Sequence, residues 1–447
     1  MTQRNIQLHF VNRLCLLGII ALLSFIIMGC NQNNAVTLEN TDSTNSSSLN
    51  ALPTSKVAIP ILPFSTPAQK ETQVPPASPA EDVYFVSQGG NNGNGKTWAT
   101  AWNDLDQIKW DVISPGTTIY VRPGTYTTSL IIEKSGTSEN PIAITGVGEV
   151  VIDGPGSGYG FSITNKQHIV ISGFEFKDWE RGIYITGSSG KTYSSSGASK
   201  YIVIENNKFY ANDGRGIFVQ TSDHITIRKN TVTTPELAFA QTDAIYSQRN
   251  HLNTYEGNTI IISNRGGGHN DGVQLFQDTD IIVRNNYIEQ DNSKVNDAQG
   301  IFATEMYGST LYYNNVVNMT NVKSNSITFK TQNGATVEII GNTVYGVRPY
   351  HGIWVVGVAD PIVKNNIVYL ISGSTLDISG SSSGVSNNYT SNPEFSSVVD
   401  RDFRLQSTSP AIDAGVSLAE PYTVDIIGTL RPQGKGWDIG AFEYAND

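Results

Sequence analysis

Cysteine is nearly absent from this chain of 447 residues, which contains only Cys15 and Cys30. Cys15 lies in an apolar run, residues 14–28, that follows two arginines and has the pattern of a signal peptide. We therefore predict that residues 1–29 are removed on export. The mature chain then has no second cysteine for a disulfide, so packing alone must hold its core together.

Basic residues are also scarce. Removal of the two leader arginines leaves 27 of the 29 lysines and arginines against 40 acidic residues, a formal net charge of −13. A chain this acidic is a poor candidate for binding nucleic acid. It also lacks a bulk attraction to acidic polysaccharides, so binding one would require a local basic groove.

The 3.6-residue spacing of helices is missing from the repeats, and what recurs instead is asparagine. Eight asparagines precede short apolar runs at spacings of 23, 28, 28, 29, 27, 24 and 22 residues: Asn207, Asn230, Asn258, Asn286, Asn315, Asn342, Asn366 and Asn388. This period is typical of stacked-repeat folds. We predict an asparagine ladder at one bend, because asparagine tolerates a left-handed backbone and its amide can bond to the next copy.

Each repeat also contains a short β-branched or aromatic run, at 216–219, 243–246, 271–274, 299–302, 325–328 and 351–354. Such runs predict short strands. One coil of short strands cannot bury its apolar side alone, whereas stacked coils pair in parallel about 4.8 Å apart. The pattern therefore predicts an all-β solenoid, in which one chain winds into stacked coils of short parallel strands.

Five segments follow from these patterns: a signal peptide (1–29), a tether (30–81), an N-terminal cap with the first coil (82–140), coils (141–392) and an irregular C-terminal cap (393–447). The tether is rich in Asn, Ser, Thr and Pro and has too little apolar surface to fold. Leu105, Ile108 and Val112 predict a short amphipathic helix over the open end of the stack. Residues 186–199 lengthen one coil as a loop.

The end of the leader, Ile27-Met28-Gly29-Cys30, resembles a bacterial lipoprotein box. The resemblance implies cleavage before Cys30 and lipidation of its thiol. A transmembrane anchor is the alternative, although the apolar run is short for a span. Asn31 replaces the aspartate of an inner-membrane retention signal, so we expect an exported monomer anchored to the cell envelope, at the outer membrane or cell surface.

Both ends of the body resemble secreted bacterial β-helix proteins. The motifs are YFVSQGGNNGNGKTWATAW with RPGTY near the start, and DFRLQSTSPAIDAG with DIGAFEY near the end. With the repeats, they resemble the right-handed parallel β-helix superfamily, the pectate-lyase-like fold. This resemblance covers residues 82–447 and implies the fold only, because the fold serves lyases, hydrolases, epimerases and adhesive proteins.

Alternation along the strands predicts two outward columns. They are Tyr184, Phe218, Tyr246, Gln274, Phe302, Thr328 and Trp354, and Gln220, Gln248, Phe276, Thr304, Lys330 and Val356. Aromatic and amide side chains suit the faces and hydroxyls of sugars, which makes Tyr246, Gln248, Gln274, Phe302 and Trp354 candidates for substrate binding. The alternative is a second small core under the loops.

A third column, at the bend before each strand, is polar and changes identity between coils: Arg215, Asp243, Asp271, Gln299, Asn325 and His351. His269 follows three glycines beside Asp271. Asp243 and Asp271 would lie about 5–6 Å apart. They suit a shared proton, a bridging cation such as Ca²⁺, or the close pair of a retaining glycosidase. The alternative is two turn aspartates that bind backbone amides.

Lys330 is the only basic residue of its column, and apolar surroundings lower the pKa of an amine, which suits a general base. The strand SITFKTQN also resembles that of family-six polysaccharide lyases, the alginate and chondroitin lyases, where a lysine takes the proton beside a uronate carboxylate. The resemblance implies that Lys330 is the base. The next coil, at 354–358, has no arginine in register and residues 322–325 have no calcium-binding carboxylate, so Arg348 and His351 are the predicted substitutes, with Glu305 as the nearest acid.

These features predict an enzyme that acts on an extracellular polysaccharide, and within that class a lyase for uronate-containing chains. Lys330 would be the base, while Arg348, His351 or His269 would hold the carboxylate or donate a proton. The enzymatic alternatives are hydrolysis through Asp243 and Asp271, and uronate epimerisation. A non-catalytic surface protein that binds glycans through the aromatic face is the alternative outside enzymes.

Overall fold

The computed structural model describes residues 82–189, 193–210, 214–234, 242–263, 269–290, 298–319, 325–347 and 350–445. These residues form a right-handed solenoid of parallel strands. Each coil contributes one strand to a ten-stranded parallel sheet, which we call the front sheet. Its strands are Leu130–Ile132, Tyr159–Thr164, Arg181–Thr186, Arg215–Gln220, Ile245–Gln248, Val273–Phe276, Ile301–Thr304, Ile327–Lys330, His351–Val356 and Ser374–Ile378.

Twenty further strands form a second sheet, which we call the back sheet. They are Val83–Val86, Thr118–Val121, Gly124–Tyr126, Ile142–Asp153, Gln167–Lys177, Lys200–Glu205, Lys208–Tyr210, Thr226–Arg228, Thr231–Thr233, Thr254–Glu256, Thr259–Ile262, Thr279–Arg284, Tyr287–Gln290, Tyr307–Tyr313, Val316–Met319, Thr336–Ile340, Thr343–Gly346, Ile362–Lys364, Ile367–Leu370 and Val385–Ser386. An antiparallel pair, Phe395–Ser397 with Asp402–Leu405, follows. The predicted all-β parallel solenoid is confirmed.

Inward side chains of the front sheet stack into the core of the solenoid. Successive coils place Ile217, Ile245, Val273, Ile301, Ile327 and Ile353 at one register position, all without solvent exposure. Full burial of a side chain of this size contributes roughly 1.5–3 kcal/mol. Repetition of this layer in every coil holds the disulfide-free body together.

The predicted asparagine ladder is confirmed, and it runs along the bend between the two back-sheet strands of each coil. Every ladder amide from Asn207 to Asn366 donates to the side-chain oxygen of the next ladder asparagine, at 2.9–3.2 Å. The predicted left-handed backbone, however, belongs to the residue before each ladder asparagine, such as Asn285 (φ 56°) or Gly257 (φ 62°). The ladder asparagine that follows, which we call the rung, directs its side-chain amide toward the next coil.

The ends of the body differ in detail from the sequence prediction. In place of the predicted N-terminal helix are two 3-10 turns, Leu105–Gln107 and Trp110–Val112, and a third 3-10 turn is Ser382–Gly384. Leu105 and Ile108 are buried as expected, but Val112 is 42% exposed.

The C-terminal segment packs along the side of several coils, a placement that the prediction of an end cap did not include. Phe395 and Phe403 cover outward apolar residues of the back sheet, among them Tyr345. Two long-range contacts fix it: Arg401 pairs with Glu289, and the Tyr422 hydroxyl donates to Glu338. The C-terminal segment therefore shields apolar side chains on the outward face of the back sheet from solvent.

A buried carboxyl makes the stability of the solenoid dependent on pH. Asp278 has no solvent exposure, and its Oδ1 accepts a hydrogen bond from the Asn250 backbone N–H at 2.7 Å. Burial raises the pKa of Asp278 from 3.8 to about 7. Between these values the folded chain binds more protons than the unfolded chain. The stabilisation is complete below about pH 4 and is lost as the pH rises through about 7.

Asp278→Asn is expected to remove this fall and to raise the free energy of unfolding above pH 7. Asn250, one coil earlier, donates its amide to the Val219 carbonyl at 3.0 Å, and an asparagine at 278 could bond to Ser247 in the same way. Urea unfolding at pH 5 and pH 8 measures the effect. Asp111→Asn, at an exposed position, is the control and should keep the parental pH dependence. An equal fall in both variants would contradict the assignment.

Candidate functional site

Two columns of side chains run along the outward face of the front sheet. Both outward columns predicted from the sequence are confirmed by the strand register. One contains Tyr184, Phe218, Tyr246, Gln274, Phe302, Thr328 and Trp354; the other contains Gln220, Gln248, Phe276, Thr304, Lys330 and Val356. Neighbours within a column therefore lie one coil apart, so residues 26–34 positions apart in sequence share one surface.

The N-terminal end of this face is an aromatic ladder joined by arginines. Ring centroids lie 4.7 Å apart for Tyr159 and Tyr184, 5.3 Å for Tyr184 and Phe218, and 4.9 Å for Phe218 and Tyr246. The Arg181 guanidinium lies 4.7 Å from the Phe218 ring, and that of Arg215 lies 4.3 Å from the Tyr246 ring. Sequence reasoning missed Arg181, although the paired strands RGIYIT and RGIFVQ repeat its position.

Asp243 and Asp271 lie one coil apart, as predicted, and both are fully buried. Asp243 accepts a hydrogen bond from the Asp271 backbone N–H at 3.2 Å, and Asp271 accepts one from the Gln299 N–H at 2.9 Å. Burial raises the pKa of Asp243, opposed by Arg215, whose Nε lies 3.3 Å from Asp243 Oδ2. These contacts favour the alternative of turn aspartates that bind backbone amides.

The amide side chains divide into accessible and buried members. The Tyr184 hydroxyl donates to Gln220 at 3.1 Å, and Gln220 donates to Gln248 at 3.4 Å. Gln248 and Gln274 are half-buried and reach the surface. Gln299 is buried and accepts a hydrogen bond from the Thr328 hydroxyl at 2.6 Å, so it supports the sheet.

Lys330, His351 and Trp354 form one group, which we call the lysine cluster. The Lys330 amine lies 4.9 Å from the Trp354 ring centroid, and the His351 ring stacks on the same indole at 5.5 Å with an interplanar angle of 17°. His351 Nδ1 lies 3.6 Å from Asp377 Oδ2. Lys330 is half-buried and has no ion pair with any described carboxylate. The fold thus brings an amine, an imidazole and an indole to the outward face.

Two of the remaining predicted residues, Glu305 and His269, belong to coils that precede the coil of Lys330. Glu305 is exposed at the bend one coil before Lys330, and its backbone N–H donates to the Lys330 carbonyl at 2.9 Å. The His269 ring stacks on Phe302 with centroids 6.1 Å apart. Arg348 and Cys30 lie outside the described residues.

The donor groups of the described residues do not fit a calcium site. None of these residues form a group of three or more histidine, cysteine, aspartate or glutamate side chains placed to hold a metal. The two carboxylates considered for a bridging cation, Asp243 and Asp271, are engaged by backbone amides, and a guanidinium already opposes the charge of Asp243. A divalent cation prefers six or more oxygen ligands.

Comparison with known proteins agrees with this architecture. The sequence profile described as "Right handed beta helix region" matches residues 159–330. The crystal structure of pectate lyase Pel9A superposes with a TM-score of 0.61 at 20% identity, over 82% of this chain and 97% of that one. The fold is the pectate-lyase-like right-handed parallel β-helix. No curated protein sequence matches the chain.

Two other solved structures superpose with lower TM-scores. A rhamnogalacturonan lyase gives a TM-score of 0.46 at 15% identity, over 71% of this chain and 91% of that one. The A-module of the mannuronan C-5 epimerase AlgE4 from Azotobacter vinelandii gives 0.40 at 14% identity, over 62% and 87%. Within the described residues of this β-helix, no helix is long and apolar enough to cross a membrane.

Proposed function

We propose that this β-helix protein is a polysaccharide lyase that cleaves a uronate-containing chain by β-elimination on the front sheet. The observation that carries the proposal is the Lys330 amine, held against Trp354 on the outward face without a described carboxylate partner. A general base must lie within contact of the proton that it takes, and this amine lies on the face proposed to hold the sugar. Lys330 is therefore the proposed base.

The proposed reaction begins at the sugar carbon beside the carboxylate. The neutral Lys330 amine takes the proton from this carbon, and the electron pair left behind forms a double bond to the neighbouring ring carbon. The bond from that carbon to the glycosidic oxygen breaks, and the departing oxygen takes a proton. His351 is the proposed donor, because its ring stacks on Trp354 beside the Lys330 amine and histidine is the side chain most often used in general acid catalysis.

The surface around the lysine cluster is suited to holding a sugar chain. Trp354 offers a flat apolar face, and the half-buried Tyr246, Gln248 and Gln274 lie in the same two columns. Aromatic faces stack on pyranose rings, while amides bond to their hydroxyls. Pectate lyase Pel9A, which has this fold, supports a polyuronate as the substrate class.

The direct test is a screen of polygalacturonate, alginate and glucuronate-containing polymers, followed by ultraviolet absorbance. Elimination creates an unsaturated sugar, so absorbance should grow with time for at least one polymer. New reducing ends without absorbance would instead indicate a hydrolase, and a changed sugar configuration without chain cleavage would indicate an epimerase. Retardation in an affinity gel without any product would indicate a non-catalytic glycan-binding protein.

We also propose that the mature protein is exported and anchored to the cell envelope through a lipid on Cys30. Cys30→Ser is expected to abolish incorporation of labelled fatty acid and to move the protein from the membrane fraction to the soluble fraction. Cys15→Ser is the matched control, because Cys15 lies in the segment expected to be removed, and this variant should keep its label. Equal labelling of both variants would contradict the proposed anchor.

A further inference from the structure

A second concave surface lies at the bend that follows the front-sheet strands, on coils before that of Lys330. It is a cleft of about 520 Å³, lined in part by Tyr193, Arg249, His251, Gln277 and Tyr307. Its walls come from successive coils, because His251, Thr279 and Tyr307 follow one another in register. Tyr193 belongs to residues 193–199, the last described part of the insertion that lengthens one coil.

The two tyrosines give the cleft aromatic walls. The Tyr193 hydroxyl donates to Asp223 Oδ2 at 2.8 Å, and its ring lies 5.8 Å from that of His251. Burial and the Asp223 carboxylate raise the pKa of Tyr193 to about 12, so its phenol stays a neutral donor. Tyr307 is 42% exposed. One ring is thus fixed by the loop, and the other is open to a ligand.

Arg249 is the fixed charge of this cleft. Seven other described arginines have a carboxylate partner: Arg181, Arg215, Arg228, Arg284, Arg401, Arg404 and Arg431. Arg249 has none in the part of the chain that the structure describes, and its Nε donates to the neutral Gln277 amide oxygen at 3.1 Å. Gln277 in turn donates to Glu305 at 2.6 Å and so lies between the guanidinium and that acid.

We propose that this cleft is a second saccharide-binding site, which takes an acidic sugar unit with its carboxylate on the Arg249 guanidinium and its ring against Tyr307 and Tyr193. An unpaired guanidinium binds a carboxylate through two parallel hydrogen bonds, and aromatic rings stack on pyranoses. The proposal rests on the proposed function only for the kind of sugar. It does not depend on Lys330 chemistry, because Gln277 lies two coils before Lys330 and Arg249 three coils before it along the bend that follows the front-sheet strands.

Calorimetry on a protein that also carries Lys330→Ala tests the site without turnover. The probes are trisaccharides of galacturonate, mannuronate, guluronate and glucuronate, each with its methyl ester. We expect Arg249→Gln to weaken binding of the preferred acidic trisaccharide at least about tenfold and to leave binding of its ester nearly unchanged. Tyr307→Ala should weaken both forms. Arg228→Gln, which removes a paired arginine of the back sheet, is the matched control and should alter neither.

Failure of this site can be distinguished from failure of the proposed function. Binding that depends on Arg249 in a protein without elimination activity would support the cleft and overturn the lyase. Elimination by the protein with Lys330, together with trisaccharide binding that Arg249→Gln leaves unchanged, would support the lyase and overturn the cleft. The cleft is also overturned if no acidic trisaccharide binds, or if Arg228→Gln weakens binding as much as Arg249→Gln.

Discussion

Replacement of Lys330 with alanine is expected to lower the rate of uronate elimination by roughly 10²–10⁴-fold, the usual contribution of a positioned general base. Binding of the polymer should change little, because Trp354 and the outward amides remain in place. Initial rates from ultraviolet absorbance give the loss of activity, and gel retardation with the same polymer gives binding. A loss of kcat without a rise in KM would indicate an interaction made only in the transition state.

Two further variants separate the base from a merely positive charge. Lys330→Arg keeps a cation over the Trp354 ring, but a guanidinium does not lose its proton near neutral pH, so this variant should be as inactive as alanine. Lys208→Ala removes an exposed lysine of the back sheet and should retain full activity. If Lys330→Arg supported elimination at a rate near that of the parent protein, Lys330 would only neutralise charge, and the assignment of the base would be wrong.

The outward columns could be read from the sequence because a solenoid turns sequence period into spatial register. Once the asparagine spacing was known, alternation alone placed Tyr246 beside Gln274 and Thr304 beside Lys330. The left-handed backbone lies one residue before the position predicted from the sequence. Asparagine suits both the left-handed residue and the ladder residue that follows it. Many repeats carry two asparagines in sequence, as at Asn285 and Asn286, and composition alone does not assign the two roles.

The sequence prediction fails where contacts depend on the segments that connect the strands. Asp243 and Asp271 are buried, Asp243 against Arg215, whereas strand alternation gives no information about burial at a bend. The cleft around Arg249 includes Tyr193, which lies in an insertion between strands that no periodic pattern describes. Of these residues, only Arg181 could have been found from the sequence, because Arg181 and Arg215 occupy the same position in two aligned strands.

Asn286→Ala is expected to destabilise the solenoid by roughly 3–6 kcal/mol, from about 1–3 kcal/mol for each buried polar group left without a partner. The Asn286 side chain has no solvent exposure. Its oxygen accepts from both nitrogens of Asn258 at 3.0 Å, and its amide donates to the Tyr255 carbonyl at 2.9 Å and to Asn315 at 3.0 Å. Urea unfolding followed by circular dichroism measures the loss.

Asn388→Ala tests whether the cost arises from the buried ladder or from asparagine at any bend. Asn388 is the last rung in sequence: it accepts from Asn366 and donates to the Val363 carbonyl at 2.8 Å, but it is half-buried. Water can replace some of the hydrogen bonds that Asn388→Ala removes. The expected loss in the free energy of unfolding is therefore less than half that of Asn286→Ala. In a solenoid each coil is stabilised by its neighbours, and an interior rung couples two of them. Equal and small losses at both positions would mean that the stacked apolar core, and not the ladder, holds the coils in register.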